Sequence, residues 1–93
     1  MSEAKFITLE GVDGAGKSTH IDFIKSYFDS KSLKYIVTRE PGGTDIGEKI
    51  REILLKDEIS PITESLLMFA ARSEHLSRLI QPNLRKGVTV ISD

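Results

Sequence analysis

The chain has 93 residues, which suits one small domain, and its charges nearly balance at a net −1, with 13 Lys and Arg against 14 Asp and Glu. This balance argues against a basic surface for nucleic acid, and the lack of cysteine excludes disulfides and thiolate chemistry. The N-terminus has no apolar stretch typical of a secretory signal, and no apolar run is long enough to span a bilayer. We therefore expect a soluble, cytoplasmic protein without nucleic-acid or membrane partners.

The first segment combines a short apolar strand, a glycine-rich loop and an amphipathic helix. Residues 6–9 are typical of a buried parallel strand. From Lys17 to about Asp29, apolar residues recur at helical spacing. The loop between them fits the pattern G-x-x-x-x-G-K-[ST] and consists of Gly11, Val12, Asp13, Gly14, Ala15, Gly16, Lys17 and Ser18.

Each fixed position of this loop has a physical role. Glycines allow backbone N–H groups to turn toward an anion, and the positive end of the following helix dipole favours the same charge. Lys17 can reach the β- and γ-phosphates of a nucleotide, and the hydroxyl of Ser18 can bind Mg²⁺. The motif therefore predicts a nucleotide-phosphate site that uses Mg²⁺.

A second strand–helix unit follows. Residues 33–38 predict a strand, and residues 39–44 (Arg-Glu-Pro-Gly-Gly-Thr) predict a loop whose last residue can cap a helix. Gly42 and Gly43 indicate a turn, and a close approach of the backbone to a substrate fits equally well. The helix is predicted from about residue 45 to residue 56.

The third unit is helical up to a final strand. Ser60 and Pro61 begin a helical region that Pro82 bends or interrupts, and Gly87 ends it. Residues 88–91 predict a strand. The order strand, helix, strand, two helices, strand is typical of a parallel sheet with helical crossovers. The predicted fold is a P-loop NTPase-type three-layer α/β/α arrangement, with about three parallel strands.

Three segments should meet at one edge of this sheet, because ligands bind beyond the carboxyl ends of parallel strands. They are the phosphate loop, residues 39–43 and Asp93. A carboxylate in that place can hold Mg²⁺ or orient a phosphate-binding arginine. The alternative for Asp93 is an ordinary turn or cap residue.

The ordered set of segments resembles the thymidylate kinase family, the bacterial form in particular. Residues 6–19, 38–44, 47–51, 69–76 and 90–93 carry the resemblance. Many proteins share the phosphate loop, whereas the Arg-Glu-Pro-Gly-Gly-Thr segment is far more specific. The resemblance covers nearly the whole chain, and it implies that residues 1–93 are the N-terminal part of a single P-loop kinase domain whose lid and C-terminal half lie beyond them.

The resemblance also implies an activity, ligands and a homodimer. The activity is transfer of the γ-phosphoryl group of ATP to thymidine monophosphate (dTMP), which gives the diphosphate. Residues 11–18 would bind ATP, the catalytic residues would be Lys17, Arg39 and Asp93, and Mg²⁺ would be held by Ser18 and Asp93. The residues implied to bind dTMP are Asp13, Arg39, Glu40, Arg51, Phe69 and Arg72. Phe69 would stack on the thymine ring, and Arg72 would donate to its O4 edge.

Two positions depart from the family pattern. The aromatic residue usually stands four positions before the arginine, where this chain has Met68, and Phe69 stands three positions before it. Gly14 occupies a loop position at which some members carry arginine. Members with glycine there place catalytic arginines in a lid, which would follow residue 93. We therefore expect the 93 residues alone to be catalytically inactive.

Considered without the resemblance, the residues leave other interpretations open. Arg51 and Arg72 could be surface groups on helices, and Phe69 could be a core residue. His20 and His75 have no partner at metal-ligand spacing, and we expect both to be structural or exposed. Another P-loop nucleotide kinase, a GTPase-like switch and a non-catalytic nucleotide-binding remnant remain alternative functions.

Overall fold

A parallel sheet of three strands organises the molecule. The structure is a computed structural model that describes residues 4–9 and 17–93, without the side chains of residues 17 and 18. The strands are β1 (Phe6–Thr8), β2 (Tyr35–Thr38) and β3 (Thr89–Ser92), in the order β1-β3-β2. Both strand pairs are parallel, which confirms the predicted sheet.

The last strand in the sequence is the centre of the sheet. All four residues of β3 are buried, and Val90 and Ile91 are 0% exposed. Among the described residues, β1 pairs with β3 alone and lies at an edge of the sheet, where Phe6 and Thr8 are exposed. The prediction of a buried first strand is therefore wrong for this part of the chain, because an apolar composition does not reveal which strand becomes central.

Four α-helices accompany the sheet within the described ranges, and two of them begin at clear capping residues. The helices are α1 (Lys17–Ser30), α2 (Asp45–Lys56), α3 (Pro61–His75) and α4 (Gln81–Arg85). Thr44 caps α2 by accepting a hydrogen bond from the N–H of Gly47 at 2.9 Å, and Ser60 caps α3 in the same way. The predicted bounds of α2, residues 45 to 56, are confirmed. They could be predicted because the cap is formed by residues close together in the sequence. No helix in residues 17–93 has both the length and the apolar character that crossing a bilayer requires.

A π-helical segment joins α3 to α4. It spans Leu76–Ile80, and the N–H of Gln81 donates to the carbonyl of Leu76, five residues earlier. Pro82 follows in the first turn of α4. Since proline has no N–H and its ring crowds the preceding turn, a wider turn before it keeps the chain helical. The predicted interruption is thus a π turn, and the helical rod continues to Arg85.

Candidate functional site

The carboxyl ends of the three strands lie at one edge, and backbone hydrogen bonds extend past the strands there. The N–H of Asp93 donates to the carbonyl of Thr38 at 3.0 Å, and the N–H of Glu40 donates to the carbonyl of Asp93 at 3.1 Å. The N–H of Leu9 donates to the carbonyl of Ser92 at 2.8 Å. The loop after β2 and the residue after β3 are therefore fixed side by side, as the sequence predicts for this edge.

The side chain of Arg39 is held by a glutamate of α2. Its Nε and Nη2 atoms donate to the two carboxylate oxygens of Glu48, at 3.2 and 2.5 Å. The same carboxylate accepts the N–H of Gly43 at 2.8 Å. These bonds to Arg39 and Gly43 lower the pKa of Glu48 to about 2, and the pairing with Glu48 raises the pKa of Arg39. Arg39 is thus a fixed cation at the edge of the sheet.

The next residue of the loop reaches α3. One carboxylate oxygen of Glu40 accepts a hydrogen bond from Nε of Arg72 at 3.1 Å, and the other lies 2.8 Å from Nδ1 of His75. Nε2 of His75 lies 2.8 Å from the hydroxyl oxygen of Thr38. The predicted site residues Glu40 and Arg72 are therefore in direct contact, although 32 positions separate them.

Glycines are required where this loop turns back onto the buried ring of His75. Gly43 has φ +85°, and a Cβ atom there would lie 2.5 Å from Nε2 of His75 and 2.5 Å from the hydroxyl oxygen of Thr38. Gly42 has φ +141°, and a Cβ atom there would overlap the carboxylate of Glu48. The close backbone approach at these glycines is therefore to the protein's own side chains.

A cleft of about 430 Å³ opens between this loop, α2 and α3. Four of the predicted site residues line it: Arg39, Glu40, Arg51 and Asp93. Nη1 of Arg51 donates to the carbonyl of Pro41 at 3.1 Å, so the loop and α2 are joined at the cleft. A second cleft of about 490 Å³ lies toward α1 and includes Ile21 in its lining. Arg39 and Asp93 line both clefts.

The structure does not bring Phe69 to the cleft. Its side chain is 68% exposed, and the apolar residue of α3 that lines the cleft is Met68, at 36% exposed. Neighbouring residues on an α-helix differ by about 100° in direction, which separates the two side chains. Met68 is also the position at which the family usually has its aromatic residue. Arg72 meets the site through its ion pair with Glu40.

The phosphate loop lies outside the described residues. Gly11, Val12, Asp13, Gly14, Ala15 and Gly16 are not described, and Lys17 and Ser18 are described only as the first backbone residues of α1. Their assignments to ATP and Mg²⁺ stay predictions. The described side chains contain no group of three or more metal-ligating residues. The first turn of α1 contains no acidic residue, so no carboxylate within it offsets the positive end of the helix dipole.

Sequence reasoning missed the part that His75 plays in this site. It was expected to be structural or exposed, and of these two alternatives it is the structural one, since it is completely buried and hydrogen-bonded on both ring nitrogens. Its partners lie 35 and 37 positions away, and no local pattern reveals contacts at that separation. Its position three residues after Arg72 on one helix was the available signal, because such pairs share a helix face.

A parallel sheet whose first strand is followed in the sequence by the motif G-x-x-x-x-G-K-[ST] is typical of the P-loop class of nucleotide-binding folds. The family model for thymidylate kinase matches residues 9–93. The thymidylate kinase of Thiobacillus denitrificans is 58% identical over 89 residues, which cover 96% of this chain and 44% of that protein. The thymidylate kinase of Janthinobacterium sp. is 54% identical over 93 residues, which cover 100% of this chain and 46% of that protein.

The crystal structure of thymidylate kinase from Ehrlichia chaffeensis matches the fold with a TM-score of 0.84 at 35% identity, over 99% of this chain and 52% of that chain. The chain belongs to the thymidylate kinase family. This confirms both the predicted fold class and the family resemblance. The chain spans about half the length of the curated relatives described above.

Proposed function

We propose that the full-length protein carrying these residues is a thymidylate kinase, which transfers the γ-phosphoryl group of ATP to dTMP and releases ADP and dTDP. The observation that carries the proposal is the position of Arg39 and Asp93, which line both clefts at the carboxyl edge of the sheet. Phosphoryl transfer requires a donor and an acceptor to meet beside fixed charges. A cation and a carboxylate shared by two adjoining clefts suit that requirement, and membership of the family supports it.

On the donor side, residues 11–18 bind the phosphates of ATP in this proposal. The start of the 14-residue helix α1 at Lys17, without an acidic residue in its first turn, supports an anion at that end. Lys17 stabilises charge on the transferred group, and Ser18 and Asp93 hold Mg²⁺. When bound there, Mg²⁺ would supply positive charge that offsets the negative charge of the ATP phosphates.

On the acceptor side, Arg39 and Arg51 offer cations to the phosphate of dTMP, and Asp13 approaches its sugar. Arg72, held by Glu40, donates to the thymine O4 edge. Because Met68 lines the cleft and Phe69 does not, the proposal gives the contact with the face of the base to Met68. A thioether is a suitable partner for an aromatic ring, since sulfur–aromatic contacts are favourable.

Three further parts of the proposal rest on the family resemblance. Residues 1–93 belong to a single kinase domain, the enzyme forms a homodimer, and it works in the cytoplasm on the small molecules ATP and dTMP. The exposed apolar side chains of Leu55 on α2 and of Ile62 and Leu66 on α3 support additional packing partners for these helices.

The decisive experiment replaces the loop lysine in the full-length protein. Lys17→Ala should lower dTMP phosphorylation, followed by coupled ADP release, by on the order of 10³-fold or more, because an electrostatic contact to the transferred phosphoryl group is lost. Lys34→Ala is the matched control, since Lys34 is an exposed lysine directly before β2. Activity in Lys17→Ala equal to that of the control would contradict the proposal.

The same assay tests the acceptor and the competing functions. The unaltered enzyme should prefer dTMP to other nucleoside monophosphates. Efficient phosphorylation of a different monophosphate would indicate another nucleotide kinase. Preference for GTP with hydrolysis and no acceptor would indicate a switch protein. Binding of ATP without transfer to any acceptor would indicate a non-catalytic remnant.

A further inference from the structure

A completely buried imidazole contacts Glu40, which lines the cleft of about 430 Å³, without lining that cleft itself. His75 stands in the last turn of α3 and is 0% exposed. Both of its ring nitrogens are engaged at 2.8 Å, Nδ1 with the carboxylate of Glu40 and Nε2 with the hydroxyl of Thr38. The two partners belong to one segment, the end of β2 and the loop after it, so the ring connects α3 to that loop.

The chemistry of these partners fixes the direction of the first hydrogen bond. An ionised carboxylate can only accept, so Nδ1 of His75 carries the proton and donates to Glu40 in either charge state of the ring. When the ring is neutral, Nε2 is the acceptor and the Thr38 hydroxyl donates to it. The acceptor of the hydrogen bond from Nδ1 is the Oε2 atom of Glu40.

The other oxygen of Glu40 binds Arg72. Oε1 accepts from Nε of Arg72 at 3.1 Å, and Nη2 of Arg72 lies 3.1 Å from the same oxygen. The carboxylate thus divides its two oxygens between a buried ring and an exposed guanidinium. Without the bond to His75, the contact with Arg72 would be the remaining described side-chain contact of Glu40, so the two side chains could move together.

The ring itself has little freedom to move. The backbone of Gly43 packs so closely that a Cβ atom there would lie 2.5 Å from Nε2 and 2.6 Å from Cδ2 of the imidazole. The ring is therefore held by hydrogen bonds on two sides and by backbone contact. A carboxylate bonded to such a rigid group is itself held in one orientation.

We propose that His75 is a positioning residue for recognition of the acceptor base: it orients Glu40, and through Glu40 it holds the guanidinium of Arg72 at the edge of the pyrimidine. The proposal rests on the proposed function and deepens it, since it names a residue that determines the affinity for the acceptor without touching it. The competing view is that His75 only stabilises the fold.

Two substitutions separate these views, because each keeps one of the two hydrogen bonds. In His75→Asn the amide nitrogen can replace Nδ1 and donate to Glu40, whereas in His75→Gln the longer side chain reaches the position of Nε2 and Thr38. We expect His75→Gln to raise KM for dTMP by on the order of tenfold, with kcat and KM for ATP nearly unchanged. His75→Asn should recover most of the affinity for dTMP.

A role in folding alone predicts a different pattern. Both variants would then lower the stability alike and would change dTMP and ATP kinetics together, and that result would overturn the proposal. A double mutant supplies a second measurement. Adding His75→Gln to Glu40→Gln should not raise KM for dTMP further, because Glu40→Gln alone already breaks the link from His75 through Glu40 to Arg72. Additive effects of the two substitutions would also overturn it.

A spectroscopic measurement on the unaltered protein tests the bond between His75 and Glu40 independently of activity. Nitrogen NMR of the unaltered full-length protein should show the His75 ring protonated at Nδ1, and Glu40→Gln should shift that signal. A neutral ring protonated at Nε2 alone would overturn the proposal. If the unaltered enzyme failed to phosphorylate dTMP, the proposed function would fail, whereas the NMR measurement would still report on the link between His75 and Glu40.

Discussion

Glu48→Gln tests how the loop after β2 is held in place. The carboxylate of Glu48 accepts two hydrogen bonds from Arg39 and one from the N–H of Gly43. Glutamine removes the charge and one of the two acceptor oxygens, so it cannot satisfy all three donors. The substitution keeps the size of the side chain, which leaves packing nearly unchanged. The main consequence is therefore a weaker attachment of the loop to α2, where the bond from Arg51 to the carbonyl of Pro41 remains.

The size of the effect follows from the exposure of the carboxylate. A pKa lowered from 4.5 to about 2 would correspond to several kcal/mol in a buried site. The side chain is 42% exposed, however, and solvent screening reduces exposed ion pairs to at most about 1 kcal/mol. The bond to the partly buried Gly43 adds a comparable amount. We expect Glu48→Gln to lower the free energy of unfolding by about 1–2 kcal/mol at neutral pH.

The effect should also depend on pH in a defined direction. Because the folded-state pKa of Glu48 lies below its ordinary value, the stabilisation is complete above pH 4.5 and is lost as the pH falls toward 2. The difference in unfolding free energy between the unaltered protein and Glu48→Gln should shrink over that range. Urea unfolding of the full-length protein at several pH values, with comparable m-values, measures this difference.

Glu52→Gln is the matched control for this experiment. Glu52 lies one turn further along α2, is exposed, and pairs only with Lys56 at 2.9 Å in the described structure. Pairs of this kind contribute a few tenths of a kcal/mol. Equal losses of stability for Glu48→Gln and Glu52→Gln, or a loss for Glu48→Gln that does not change with pH, would refute the reasoning.

Two further predictions concern the same loop. Gly43→Ala should cost about 2 kcal/mol more than Gly87→Ala in urea unfolding, because the φ angles are similar (+85° and +82°) but only the first methyl group would overlap a buried imidazole. Equal costs would show that the backbone angle alone matters. Arg51→Gln should raise KM for dTMP by on the order of tenfold and leave KM for ATP unchanged, since the bond to the carbonyl of Pro41 and a cation of the cleft are both lost. Lys49→Gln, an exposed change on the same helix, is its control, and a matching rise in KM there would contradict the assignment.

The elements with local signals were predicted well from the sequence. The bounds of α2 follow from a threonine cap and an amphipathic pattern, and both are properties of adjacent residues. Gly87 ends the last helix at φ +82°, as a left-handed stop requires. The strands were less certain: the predicted ranges 33–38 and 88–91 became Tyr35–Thr38 and Thr89–Ser92. Their ends are set by pairing with each other, which is not a local property.

In the candidate site, too, some features could be predicted from the sequence and others could not. The meeting of Arg39, Glu40 and Asp93 could be predicted, because parallel strands bring their carboxyl ends to one edge. The choice between Met68 and Phe69 could not, since one helical step decides which side chain enters the cleft. The engagement of His75 with the loop also depends on a contact between distant parts of the chain.

Contacts with α2 and α3 hold the loop after β2 at several of its residues. Arg39 and the N–H of Gly43 are held by Glu48 of α2, and Glu40 is held by two residues of α3. The carbonyl of Pro41 is held by Arg51, also of α2. Each contact fixes a different residue of one short segment, so the two helices together set the geometry of the cleft before a substrate enters. Preorganisation of this kind lowers the entropic cost of binding, and it requires that changes in either helix alter the affinity for the same ligand.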